Sequence, residues 1–194
     1  RSNRRQRQMC IRDSSRTDPE RLAASLMNTV LGSGGFSSRL MKSVRAEEGL
    51  TYGVSSYFAM RRHPGPFAVS TFTRAAEVRR VVDLLLSELS RVRSDPPSPE
   101  EVANAQSQRV GNFSLGLETS SAVTSSLVDL DVHGLPEDSL DTFRGRIRVL
   151  TAEDTARAAR DLVHPERAAI LVVGPAEAIL PQFESLGPVE VVQP

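Results

Sequence analysis

The chain has 194 residues, of which 39% are hydrophobic and 25% are charged, and its formal net charge is zero. This composition is typical of a folded globular body, and the length suits one domain or one lobe of a longer protein. No apolar run approaches the roughly 20 residues that a membrane-spanning helix needs, and the lone Cys10 excludes a disulfide framework or a thiolate zinc cluster within one chain.

The neutral total hides a basic first segment. Residues 1–16 contain six arginines and one aspartate, whereas the remaining residues carry more acidic than basic side chains. A basic segment can bind nucleic acid, but this one has no aromatic residue for base stacking, and the rest of the chain is mildly acidic. We therefore predict a disordered or non-native end over 1–16, one domain over 17–194, and no nucleic-acid partner.

Capping boxes predict where three helices begin. In this motif a hydroxyl accepts one orphan backbone N–H at the helix start, and a carboxylate three residues later accepts another. The boxes begin at Thr17, Ser98 and Thr151. The first predicts a helix that ends at the glycines of GSGG, 32–35, and that buries one face containing Leu22, Leu26, Thr29 and Val30.

Beyond these glycines the pattern runs from helix to strand and back to helix. A short helix over about 37–48 buries Leu40 and Val44 and stops at Gly49, a typical residue just past a helix end. Two strand-like runs, 50–60 and 65–73, are joined by the turn-rich RRHPGP and predict an antiparallel hairpin. Apolar residues at helical spacing then predict a helix over about 75–93.

The second half of the pattern is mainly helical. A helical region runs from Ser98 to about Leu130 with a break near Gly111 or Gly116, and a helix pair follows over about 139–163. The apolar run RAAILVVGP, 167–175, predicts a buried strand, followed by a helix over 176–186 and a terminal strand VEVV, 189–192. The order predicts an α+β fold, with a mixed or antiparallel sheet covered by helices on one face.

Two motifs suggest chemistry that their context does not support. LGSGGFSSR, 31–39, resembles a phosphate-binding loop, but no strand precedes it and no Lys-Ser/Thr follows its glycines. Tight turning between helices is the better interpretation. The three histidines, His63, His133 and His164, are too far apart for an H-x-x-E-H or H-E-x-x-H zinc site.

The segment SVRAEEGLTYGVSSYF, 43–58, raises a different question, because Arg45 and Tyr52 lie seven residues apart across a helix-to-strand corner. A structural interpretation exists for both. Arg45 would complement the helix dipole and pair with Glu48. Tyr52 would share a buried strand face with Leu50, Val54 and Phe58. The spacing alone does not decide between these roles and a polar site.

The longer segment LGSGGFSSRLMKSVRAEEGLTYGVSSYF, 31–58, resembles the signature of the C-terminal, non-metal domain of pitrilysin/insulinase-type zinc metallopeptidases. A glycine turn, Ser-Arg-Leu, an arginine, Gly-Leu and a tyrosine recur in that order in the family. The resemblance continues through 98–119, 149–163 and 168–174, and so covers about residues 17–192.

The resemblance implies an α+β domain that pairs with a homologous, zinc-bearing domain around an extended peptide. It assigns the family's Arg/Tyr pair to Arg45 and Tyr52. Arg45 would bind the substrate carbonyl, and Tyr52 would donate a hydrogen bond to the oxyanion formed when zinc-bound water attacks the peptide bond. We also expect Gly53, which has no side chain, to leave room for a peptide along the strand.

The chain departs from the complete family pattern because it contains no H-x-x-E-H motif. We therefore expect no complete catalytic set and no zinc on this chain, and zinc on the partner domain, located upstream in the same gene or on a separate subunit. The leading hypothesis is the substrate-binding half of a zinc metalloendopeptidase, inactive by itself. The alternative is a non-catalytic structural or peptide-binding subunit of the same fold.

Overall fold

The computed structural model describes residues 15–63 and 65–192. The predicted disordered or non-native end therefore lies almost entirely outside the described residues. The seven α-helices and two strands of the described part are α1 (Arg21–Asn28), β1 (Val54–Phe58), β2 (Phe67–Thr71), α2 (Val78–Ser94), α3 (Pro99–Leu115), α4 (Ser120–His133), α5 (Ser139–Arg148), α6 (Ala152–Leu162) and α7 (Ala176–Phe183). The predicted α+β fold is confirmed.

Two π-helical segments and three short 3₁₀ turns join these elements. The π-helical segments are Thr29–Ser33, which continues α1, and Met41–Glu47, which leads toward β1; the 3₁₀ turns are Gly35–Ser37, Ala75–Glu77 and Pro165–Arg167. The second predicted helix is thus confirmed in place, with Leu40 and Val44 fully buried, but it is wound as a π-helix.

The two capping boxes of the second half are confirmed. Ser98 Oγ accepts the Glu101 N–H and Thr151 Oγ1 accepts the Asp154 N–H, each at 3.2 Å, and both carboxylates accept the N–H of their cap residue in return. The box predicted at Thr17 is wrong. Residues 17–20 form turns in which the Asp18 carboxylate accepts the Glu20 N–H at 2.8 Å, so α1 begins only at Arg21.

The predicted hairpin is confirmed, and it supplies the whole sheet of the described residues. β1 and β2 pair antiparallel in a register that joins Val54 to Thr71 and Phe58 to Phe67. α1 and both π-helical segments pack against β1. The break in the long helical region falls at Gly116, since Gly111 lies inside α3.

The strands predicted over 167–175 and 189–192 are wrong for the described chain. Neither run forms a strand, and Leu171 and Val173 are 90% and 92% exposed. A strand exists only where a neighbour accepts and donates its backbone hydrogen bonds. In the described residues β1 and β2 pair with each other and no third strand is present beside the apolar runs. Apolar composition predicts burial but cannot show that a partner strand is available.

The glycine segment, which was predicted only as a tight turn between helices, also packs closely against β1. A Cβ on Gly32 would lie 2.3 Å from Ser56 Oγ and 2.9 Å from the Ser56 backbone N. Next to this contact, the buried Asn28 donates from Nδ2 to the Ser56 carbonyl at 3.0 Å and accepts from the Ser56 hydroxyl. Residues 28–32 thus fix β1 through both contact and hydrogen bonding.

Arg39 ties the start of the π-helix Met41–Glu47 to the α2–α3 connection. Its side chain is only 7% exposed, and the guanidinium forms a bidentate ion pair with Glu101, at 2.8 Å from Nε and 2.7 Å from Nη2. A third donor, Nη1, reaches the Asp95 carbonyl at 2.8 Å. The hydrogen bonds from Arg39 lower the pKa of Glu101 from 4.5 to about 2, so the carboxylate stays ionised well into acid.

The Gly32 contact gives a first prediction. We expect Gly32→Ala to lower the free energy of unfolding by about 2 kcal/mol, because the new methyl group must displace β1 backbone as well as a side chain. Gly111→Ala is the control, since Gly111 lies within α3 with open space at its Cβ position. That change should stabilise the protein by about 0.5–1 kcal/mol. Urea unfolding of both variants tests this prediction. Equal changes in the free energy of unfolding for the two variants would contradict the role of the Gly32 contact.

The Arg39–Glu101 pair gives a second prediction. Glu101→Gln keeps a side chain that can complete the capping box but removes the bidentate carboxylate from the buried Arg39, so we expect a loss of about 2 kcal/mol at pH 7. Because the folded-state pKa lies below the unfolded value, the contribution is present above about pH 4.5 and is lost as the pH falls toward about 2.

Urea unfolding measured from pH 7 to pH 2 checks this dependence. The wild type should lose more stability across that range than Glu101→Gln does. The exposed Glu100→Gln, one residue earlier in the same helix, is the matched control and should follow the wild type. Parallel pH profiles for wild type and Glu101→Gln would contradict the assignment.

Candidate functional site

The corner between the π-helix Met41–Glu47 and β1 carries the two residues singled out in the sequence. Gly49 reverses the chain with a φ of +64°, a conformation that costs glycine little because it has no Cβ. Its N–H donates to the Arg45 carbonyl at 3.0 Å, and the next N–H, of Leu50, donates to the Val44 carbonyl at 3.1 Å. The predicted cap at Gly49 is confirmed, and it fixes the backbone between Arg45 and Tyr52.

Arg45 lies in the last turn of its helix, as predicted, but the expected ion pair with Glu48 is wrong. Glu48 pairs instead with Arg80 of α2. The Arg45 guanidinium lies 4.5 Å from the ring centroid of Phe36 and makes no hydrogen bond or ion pair within the described residues. Its donors therefore remain available to a ligand.

Tyr52 lies on the surface, and the prediction that it shares a buried strand face is wrong. Its side chain is 84% exposed, whereas Leu50 and Val54 are buried. The alternation fails because β1 begins only at Val54, so residues 50–53 do not follow the pleat of the strand. In the part of the chain that the structure describes, the Tyr52 hydroxyl has no hydrogen-bond partner.

Threonine side chains hold the backbone on either side of Tyr52. Thr51 Oγ1 lies 2.7 Å from the Phe72 carbonyl and accepts the Gly53 N–H at 3.1 Å. Thr71 Oγ1 lies 2.9 Å from the Gly53 carbonyl, and Thr73 Oγ1 donates to the Leu50 carbonyl at 2.7 Å. The tyrosine thus projects from an anchored loop. A Cβ on Gly53 would meet open space, so the surface beside Tyr52 is unobstructed by the chain itself.

Phe36 is a residue of this surface that the sequence interpretation missed. It follows the glycines in a polar stretch and is highly exposed, with Arg45 stacked on its ring. A large aromatic side chain within a Gly/Ser-rich turn was the available signal, because such turns rarely bury one. We call the exposed side chains of Phe36 and Tyr52, with Arg45 over the Phe36 ring, the corner surface; Tyr52 follows Arg45 by seven residues across the Gly49 turn. It offers a fork of N–H donors, a phenol donor and an aromatic face.

Two of the three histidines, His133 and His164, have local backbone partners. His133 Nδ1 lies 2.9 Å from the Asp129 carbonyl, and His164 Nε2 lies 3.1 Å from the Asp161 carbonyl. Across residues 15–63 and 65–192, no three His, Cys, Asp or Glu side chains lie close enough together to hold a metal ion. Nor does any helix in these ranges have the length and apolar character needed to cross a membrane.

Comparison with known proteins places these features in a family. The family model for the peptidase M16 inactive domain matches residues 6–109, which include the whole corner surface. An uncharacterized zinc protease of Streptomyces coelicolor is 34% identical over 161 residues, which are 83% of this chain and 35% of that protein. The chain therefore spans about a third of the length of that relative.

Solved structures agree with this match. The crystal structure of a peptidase M16 inactive domain from Pseudomonas fluorescens has a TM-score of 0.75 and 29% identity, covering 80% of this chain and 37% of that chain. A chain of complex III2 from Candida albicans has the same fold, with a TM-score of 0.67 at 19% identity, covering 77% of this chain and 38% of that chain. The resemblance to the pitrilysin/insulinase-type metallopeptidases is confirmed, and the chain belongs to peptidase family M16, where it matches the inactive domain.

Proposed function

We propose that this chain is the substrate-binding half of a zinc-dependent metalloendopeptidase and clamps an extended peptide against a metal-bearing partner domain. The proposal rests on the unused hydrogen-bonding groups of Arg45 and Tyr52. Both side chains keep their hydrogen-bonding groups unused among the described residues, although the backbone that carries them is firmly held. Polar side chains without partners on a rigid stretch of backbone favour a role in ligand binding over a role in stabilising the fold.

Arg45 would hold a carbonyl oxygen of the peptide. Its guanidinium is planar and always charged, and it offers several N–H donors in a fixed fork. Stacking on Phe36 at 4.5 Å restricts the directions that this fork can take. Less conformational entropy is then lost on binding than with a freely rotating side chain.

Tyr52 would act on the scissile peptide bond as it is cleaved. A phenol hydroxyl that donates to the carbonyl oxygen gains strength as negative charge develops on that oxygen. This interaction stabilises the transition state more than the bound substrate, so it raises the rate rather than the affinity. The hydrogen bonds of Thr51, Thr71 and Thr73 around residues 50–53 would keep the hydroxyl in place.

The metal chemistry would be supplied by the partner domain. The described residues do not fit a zinc site, because they contain no group of three or more suitable ligands. Zinc in a protease polarises the scissile carbonyl and activates water. The residues of this chain would bind and orient the peptide beside that metal.

Exposed apolar residues favour a partner domain of this kind. Leu171 and Val173 are almost fully exposed, and the run 189–192 also presents valines to solvent. Contiguous exposed apolar residues in a folded domain mark surfaces that another domain covers. The chain spans 35% of the Streptomyces relative, so the remaining length of a similar protein would suffice for such a domain.

A non-catalytic structural subunit is the second candidate. The fold also occurs in a chain of complex III2, so the fold by itself does not require peptidase activity. The two functions differ in what they require of Tyr52. A structural subunit needs no free hydroxyl there, and a peptidase half does.

Tyr52→Phe therefore tests the proposal. In the enzyme reconstituted with the metal-bearing domain, we expect kcat for an unfolded peptide to fall about 100-fold, because one hydrogen bond to the developing oxyanion is lost. KM should change little, since the interaction forms mainly in the transition state. Arg45→Gln should instead raise KM. Steady-state kinetics separates the two effects.

Tyr57→Phe is the matched control, because Tyr57 is the other tyrosine of the chain and lies exposed on β1. It should leave both kinetic constants unchanged. Unaltered kcat in Tyr52→Phe would remove the tyrosine from the mechanism. If Arg45→Gln also had no effect, the structural subunit would be the better account.

The partner surface is tested by Leu171→Lys. We expect a weaker association with the metal-bearing domain by about tenfold, because burying a lysine ammonium against apolar surface is costly. Val149→Lys is the control, since Val149 is also an exposed apolar residue but lies between α5 and α6. Titration calorimetry of both variants measures the effect. Equal affinities of the two variants for the metal-bearing domain would mean that the partner binds another surface.

A further inference from the structure

A cavity of about 430 Å³ lies between α1, α3, α4 and α5, and it shares no lining residue with the corner surface. Apolar side chains make up much of its wall, among them Leu22, Leu130 and Phe143. Polar side chains also line it, and three of them, those of Arg21, Arg109 and Ser139, bear on what the cavity could bind. The size of the cavity and its mixture of apolar and polar side chains suit a small molecule that has both an apolar and a polar part.

Arg109 is the first unusual feature of this cavity. Its Nε is shielded from solvent and has no hydrogen-bond partner, and the guanidinium pairs with no carboxylate in the described residues. The Cζ atom of its guanidinium lies 5.8 Å from the ring centroid of Phe143. Burial lowers the pKa of Arg109, and repulsion from Arg16 lowers it further. Arg109 is half-buried, and a shielded Nε donor without an acceptor is costly to the fold and favours an anionic ligand.

Ser139 is the second feature. The residue is 6% exposed, and its hydroxyl has no hydrogen-bond partner although it is buried. Ser139 is also the first residue of α5; its backbone N–H donates to the Pro136 carbonyl at 3.0 Å, so the hydroxyl is the group left without a partner. Two buried polar groups on different helices are thus unsatisfied within one cavity.

The charges of the cavity wall also favour an anionic ligand. Asp129 is an acid of the cavity wall, but it already pairs with Arg16 and lies 3.1 Å from His133 Nδ1. Arg21 makes no ion pair, and burial together with repulsion from Arg146 and Arg16 lowers its pKa. The cavity therefore holds more positive than negative charge, and its acid is not available to Arg109.

We propose that this cavity binds a small organic carboxylate with an apolar body. The Arg109 fork matches the geometry of a carboxylate, and the Ser139 hydroxyl can donate to the same group. The leucine and phenylalanine side chains of the wall would contact the apolar body. The site is independent of the corner surface, so it adds a second ligand to the proposed peptide-binding function.

The test uses 3-phenylpropanoate as the probe in titration calorimetry with the full 194-residue chain. Its amide, 3-phenylpropanamide, has the same body without the charge, and inorganic phosphate has charge without the body. We expect the carboxylate to bind and both other compounds to bind far more weakly. Binding of the amide with equal affinity would overturn the anion assignment, and equal binding of phosphate would overturn the organic carboxylate.

Substitutions locate the site. Arg109→Gln should weaken binding of the carboxylate about 10- to 100-fold, the usual range for a lost charged hydrogen bond. Arg144→Gln is the matched control, because Arg144 is exposed on α5 and does not line the cavity. It should bind as the wild type does. Unchanged affinity in Arg109→Gln would overturn the proposal.

Ser139→Ala keeps the test decisive if Arg109→Gln does not fold. The Ser139 hydroxyl makes no hydrogen bond in the free protein, so its removal should not lower the melting temperature. Binding of 3-phenylpropanoate should nevertheless weaken about 2- to 10-fold. A folded Ser139→Ala protein with undiminished affinity would contradict the role of Ser139 and, with it, the pairing of the two unsatisfied groups.

Discussion

Gly32 lies so close to β1 that any larger residue would displace the strand, and this contact fixes the geometry of the candidate site. The neighbouring Asn28 bonds both the carbonyl and the hydroxyl of Ser56, so hydrogen bonds as well as contact hold the strand against α1. β1 begins immediately after the loop that carries Tyr52. Once the strand is fixed, residues 50–53 have little freedom, and the threonine hydrogen bonds remove most of what remains.

Arg39 and Arg45 lie six residues apart on one segment, yet the surrounding chain uses them differently. Arg39 is buried, and acceptors from Glu101 and the α2–α3 connection satisfy its donors. The interactions of Arg39 therefore stabilise the fold. Arg45 is turned toward solvent over Phe36, and its donors remain unused. The first arginine stabilises the platform from which the second is presented.

Sequence patterns predicted the features that depend on nearby residues. The caps at Ser98, Thr151 and Gly49 follow from hydrogen bonds within a few positions, and the hairpin follows from adjacent runs joined by a turn. The failures have a different cause. The run 167–175 needs a partner strand that the described chain does not provide, and the Thr17 box was replaced by a turn built on Asp18. The exposure of Tyr52 depends on where β1 begins, which alternation alone does not determine.

Arg39, Arg45 and Arg109 differ in whether the chain satisfies their donors, and sequence spacing does not reveal this difference. In the described residues Arg39 has acceptors within the chain, whereas Arg45 and Arg109 have none. The two differ in surroundings: Arg45 is at an open surface where a peptide backbone can lie, and Arg109 is in a cavity that admits only a small molecule. Water can solvate an arginine at the surface, whereas a shielded donor such as Arg109 Nε has no such partner and is costly to the fold. The proposed peptide and the proposed carboxylate would thus bind arginines in two different surroundings on one domain.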